Sequence, residues 1–121
     1  MIKSTHNQQS YTEGILQAAG QDAAAYPSVI RIWWWNHTNP SHLRMTRSGI
    51  HYIRKYTKIP VYTCVLPEPM RNRTLIQMSR LLTCPYYIPK PDELFLLGEQ
   101  ETVLLKLHAD NLQQYLDNLQ L

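Results

Sequence analysis

Arg47, His51, Arg54, Lys55 and Lys58 are spaced so that a 3.6-residue helix collects them into one stripe. Gly49, Ile50, Ile53 and Thr57 fall on the opposite, inward face, and Tyr52 and Tyr56 flank the cations. A row of guanidinium and ammonium groups beside tyrosine rings suits a nucleic acid: the cations track phosphates and the rings stack on exposed bases. Arg44 precedes the stripe, and Arg71 and Arg73 follow it and extend the patch. Between Ser41 and Arg80 eight Lys and Arg stand against a single acid, Glu68, a net +7. Residues 1–40 sum to zero and residues 81–121 to −4, so the formal +3 of the chain hides a polarised molecule. Such a field attracts and orients an anionic partner, whether DNA, RNA or an acidic host protein surface. Its other outlet is pairing of the acidic C-terminal helices with the basic centre, within the chain or across a homodimer.

Trp33, Trp34 and Trp35 form the second notable cluster. As a strand they would place Trp33 and Trp35 on one face and Trp34 on the other. One face is then expected in the core, and the other, either Trp34 or the Trp33 and Trp35 pair, becomes a candidate protein interface.

Catalytic signals are sparse. His6, His37, His42, His51 and His108 show no paired metal-ligand spacing, and no phosphate-binding glycine loop or nucleophile elbow occurs. Cys64 and Cys84 read as buried thiols, not as metal or redox ligands. Asn39-Pro40-Ser41-His42-Leu43 resembles the N-P-x-H-L piece of HNH nucleases, in which an upstream His is the general base. Here His37 lies two positions before Asn39, and the zinc-binding cysteines of many members are missing. No catalytic residue, metal or cofactor is therefore assigned, and binding is expected instead of catalysis.

The elements that must position these residues follow from local pattern. A chain of 121 residues with 44% hydrophobic and 17% charged residues is one folded domain. Residues 1–10 are polar and expected to be loose, with the domain spanning 11–121. A helix is expected over 11–25, capped by Thr12 and closed by Pro27. Residues 28–35 read as a strand that returns over 42–45 as a hairpin through the turn at 36–41. Thr46 caps the basic helix, expected from Arg47 to Lys58. A strand follows over 61–66, then a helix opened by a Thr74–Gln77 capping box. A second hairpin over 86–97 turns at Pro89–Asp92, and two helices close the chain, one from Glu99 and one carrying Leu112, Tyr115, Leu116 and Leu119 inward. The expected fold is α+β: a small, mainly antiparallel sheet of two hairpins plus one strand, covered by helices. No run approaches the roughly 20 apolar residues of a membrane span and no signal peptide is evident, so a cytoplasmic setting is expected.

Two fragments, Leu43-Arg44-Met45-Thr46-Arg47-Ser48-Gly49 and Cys84-Pro85-Tyr86-Tyr87-Ile88, together resemble small proteins of tailed phages. The resemblance implies a phage-like origin, hence the cytoplasm of a host cell, and brings no activity with it. Leu43 to Gly49 also resembles the wing-to-helix junction of winged-helix domains, where the Thr caps a helix and the Gly packs it close. Two functions are therefore expected in order: a non-enzymatic nucleic-acid binder, then an inhibitor or modulator of a host protein. An HNH-like nuclease comes third.

Overall fold

The computed structural model describes residues 2–21, 29, 33–35 and 43–121, with side chains from residue 8 onward. In chain order the elements are α1 (Ile2–Ala18), α2 (Arg47–Tyr56), β1 (Tyr62–Val65), α3 (Asn72–Leu81), β2 (Tyr86–Lys90), β3 (Glu93–Leu96), α4 (Glu99–Leu107), a 3-10 turn (Ala109–Asn111) and α5 (Leu112–Asn118). The strands form an antiparallel sheet in the order β1-β3-β2, so the fold is α+β as expected. Side-chain alternation along β3 then sorts everything else. Leu94 and Leu96 turn to one face, into a core with Cys64, Met78, Tyr86, Leu105 and Leu116. Phe95 turns to the other face and joins Tyr87 against Ile15, Leu16, Trp33, Trp34, Ile50 and Ile53. The sheet thus divides two cores, with α3, α4 and α5 on one side and α1 and α2 on the other.

Several boundaries differ from expectation for identifiable reasons. The segment expected to be loose, 1–10, is helical from Ile2 onward. Its helix stops at Ala18, because Gly20 takes a left-handed φ of 74°. Gly20 N–H then donates to Gln17 O at 3.0 Å and Gln21 N–H to Leu16 O at 2.7 Å, the paired bonds of a Schellman stop. Ala23–Ala25 and Pro27, expected to prolong and close this helix, lie outside the described residues. Thr12 is not a cap. It is fully buried inside α1, where its hydroxyl accepts the indole N–H of Trp34 at 2.6 Å.

Among the described residues the first expected hairpin is reduced to a short pairing of 33–35 with 44–46. Val29 and Trp33 are helical, and Trp34 makes only an isolated bridge to Met45. Trp33 and Trp34 are both buried in the same core, which the alternation of a strand forbids. Backbone pairing survives in short form: Trp35 N–H donates to Arg44 O and Thr46 N–H to Trp33 O, each at 2.7 Å. The 43–45 segment also lies along the outer edge of β2, with Met45 N–H donating to Tyr86 O at 2.6 Å. Among the described residues the sheet is therefore one hairpin plus β1. That hairpin turns at Pro91–Asp92, later than expected, and Pro89 sits in β2 at a break in register between Tyr87 and Lys90.

The Thr74–Gln77 capping box is also overturned. Arg71 is the N-cap of α3, and Thr74 and Gln77 are buried within the helix, facing α5. Thr74 Oγ1 donates to Gln113 Oε1 at 2.7 Å, Gln113 Nε2 to Gln77 Oε1 at 2.7 Å, and Gln77 Nε2 to Asp117 Oδ1 at 2.9 Å. The bond from Gln77 most of all, and then those from Gln113 and the Arg73 guanidinium, hold the Asp117 carboxyl below its ordinary value. A depressed pKa stabilises the fold above the ordinary aspartate range and loses that contribution as pH falls through the depressed value. Asp117→Asn is thus expected to flatten the acid limb of a melting-temperature profile against pH. In α5 Leu112 and Leu116 are buried as expected, whereas Leu119, just past its end, is exposed.

Gly49 decides how closely α2 can approach its neighbours. A Cβ at this position would meet the Trp33 carbonyl oxygen at 2.7 Å and Trp33 Cα at 3.0 Å, both backbone atoms that cannot swing aside. Alanine would gain about 1 kcal/mol in helix propensity. The clash outweighs it, and Gly49→Ala is expected to destabilise by about 1–2 kcal/mol net, read from a urea titration.

Candidate nucleic-acid interface

The α2 helix starts where Thr46 turns extended, with φ −84° and ψ 167°, and its hydroxyl accepts the Gly49 N–H at 3.2 Å. Gly49, Ile50 and Ile53 are buried, which fixes the rotation of the helix. Arg47, His51, Arg54 and Lys55 consequently face outward and are exposed together. The helix ends at Tyr56, and Thr57 returns to extended backbone, so Lys58 is exposed just beyond the helix and not in its phase. No acidic residue occurs in the ten residues of α2.

Aromatic rings border the cations on both sides. The Arg54 guanidinium lies 4.4 Å over the Phe95 ring and so covers the sheet there, while Arg54 as a whole remains exposed. On the other flank Trp33, Tyr52 and Tyr56 form a ladder, with centroids 4.6 Å and 4.9 Å apart and tilts of 43° and 44°. The Lys55 ammonium stands 5.4 Å over Tyr56. Beside the ladder is a groove of about 430 Å³, lined by Leu16, Gln21, Val29, Trp33, Ser48, His51, Tyr52 and Tyr56. Trp33, Gln21 and Ser48 belong to this surface without having been singled out for it. The spacing of Ser48, Tyr52 and Tyr56, each four residues on from the last, was the available signal for the groove.

The wider patch does not hold together. Arg44 is half-buried next to Tyr86 on the β2 edge, and its guanidinium lies 4.4 Å over the Trp35 ring. Arg71 and Arg73 belong to the start of α3, which packs on the opposite face of the sheet from α2. Arg73 pairs with Asp117 at 2.5 Å, the one ion pair among the described residues, and so realises the expected contact between basic centre and acidic end. Arg71 and Arg73 border a separate cleft of about 570 Å³ together with Glu68 and Asp110, where charges of both signs meet. The candidate phosphate-contacting surface therefore contracts to α2 and Lys58, with Arg44 nearby.

The tryptophan interface is corrected as well. Trp33 and Trp34 are 3% and 1% exposed and form part of the core, while Trp35, at 40%, is the exposed ring. Trp34 is held inward by its bond to Thr12.

Other chemistry finds little purchase. Cys84 is buried and its thiol is pushed up to about 11, first by burial and then by the charge of Glu101, so it stays protonated and inert at neutral pH. Cys64 is likewise buried with its pKa raised by burial. Among the described residues no group of three or more His, Cys, Asp or Glu is placed to hold a metal ion. Of the HNH-like pentapeptide, Asn39 to His42 lie outside the described residues, and Leu43 is a core residue. No described helix is long and apolar enough to cross a membrane. No protein-family model, curated protein or solved structure matches this chain.

Proposed function

We propose that this chain is a non-enzymatic nucleic-acid-binding protein whose contact surface is the outer face of α2. The observation that carries the proposal is the conjunction on one helix of exposed Arg47, His51, Arg54 and Lys55, with no acid among them, and the Trp33–Tyr52–Tyr56 ladder alongside. Arg47, Arg54, Lys55 and Lys58 would meet phosphates, and the Tyr52 and Tyr56 rings would meet bases. The host-protein reading loses ground by comparison, since two of its three tryptophan anchors are in the core.

Four phosphate contacts predict a definite salt response. A plot of log affinity against log salt for a labelled oligonucleotide is expected to fall with a slope of about −3 to −4. Anisotropy titrations across a salt series measure it. Absence of binding to single- or double-stranded DNA or RNA at low salt would overturn the proposal.

A further inference from the structure

We infer that the groove beside α2 takes one unstacked base, so that the protein prefers single-stranded to paired nucleic acid; this deepens, and rests on, the nucleic-acid reading above. The groove's volume of about 430 Å³ lies in the range of small-molecule sites. Its lining combines aromatic surface from Tyr52 and Tyr56, backed by the buried Trp33, with polar atoms from Ser48, His51 and Gln21. A nucleobase has that same composition, a π-face with donors and acceptors along its edge. Tyr56 is 56% exposed, so its ring remains accessible as a platform.

The occupant is fixed by what borders the groove. Arg47 and Lys55 stand on the same helix as Ser48 and Tyr56, each next to a lining residue in sequence, and His51 belongs to both stripe and lining. A base in the groove would leave its flanking phosphates among these cations. A base within a duplex cannot do this, because it is stacked and paired and must first be extruded at an energetic cost. An apolar peptide side chain would fill the groove without using the cations. Sequence-tolerant stacking beside a cationic track is the known physical basis of single-strand binding.

The test compares an oligothymidine strand, an abasic strand of equal phosphate number, and a duplex. The thymidine strand is expected to bind about tenfold more tightly than the abasic one. Tyr56→Ala is expected to bring thymidine-strand binding down to the level of the abasic strand, while Tyr56→Phe, which keeps the ring, restores the difference. Melting curves establish that the exposed substitution leaves the fold intact. Equal binding of thymidine and abasic strands, or of strand and duplex, would overturn the base-groove inference and leave charge-driven binding standing. Failure of all three to bind, or capture only of an acidic peptide, would overturn both.

Discussion

Arg54→Glu combined with Lys55→Glu is expected to abolish nucleic-acid binding, lowering affinity by at least about 100-fold at physiological salt. Two of about four phosphate contacts disappear, and two carboxylates now repel the backbone they replaced contacts with. Because Arg54 also covers Phe95, Lys55→Glu alone is the companion variant: it changes charge without uncovering the sheet. Arg71→Glu supplies the contrast. Arg71 lies with α3 on the other face of the sheet, so its reversal is expected to leave binding nearly unchanged. Anisotropy titrations of the three variants, with thermal melts alongside, distinguish a local α2 surface from a diffuse effect of net charge. Equal losses from Arg71→Glu and from the α2 pair would refute the localisation.

Trp34→Ala is expected to be the most destabilising single change. Trp34 is among the largest fully buried side chains, and its indole N–H is bonded to Thr12 inside the core. Truncating a buried Trp costs about 3–5 kcal/mol. Against a total stability on the order of 5–15 kcal/mol, that removes a large fraction of the fold. Trp34→Phe separates packing from hydrogen bonding, since it retains a ring but leaves the buried Thr12 hydroxyl without its donor, at a cost of about 1–3 kcal/mol. Urea titrations of both variants check the pair. A Trp34→Ala protein with unchanged midpoint would show that Trp34 is not in the core.

The sequence was legible where a local signal and tertiary burial point the same way. Thr46 before Arg47, and Gly49, Ile50 and Ile53 at inward spacing, fix α2 and the outward direction of its cations. It was misleading where a residue with a strong local preference is used for a long-range contact. Thr12, Thr74 and Gln77 all resemble capping residues, yet each is bonded to another element. Trp33 to Trp35 favour a strand by composition, but burying two adjacent rings in one core requires a break from alternation. Charge was legible along the chain but not across the sheet, because nothing local tells that α2 and α3 pack on opposite faces.

The absence of any acid in α2 has an effect on the unbound protein. Arg47 stands two helical turns before the adjacent Arg54 and Lys55, and Lys58 follows just beyond the helix, so these like charges repel one another across one surface with no carboxylate between them. Dissolved ions shield this repulsion over about 8–10 Å at moderate ionic strength. Raising salt is therefore expected to firm up the free fold while loosening its hold on a polyanion. The two dependences carry opposite signs, so a bound strand raises the melting temperature most in dilute buffer, where the unliganded helix is weakest.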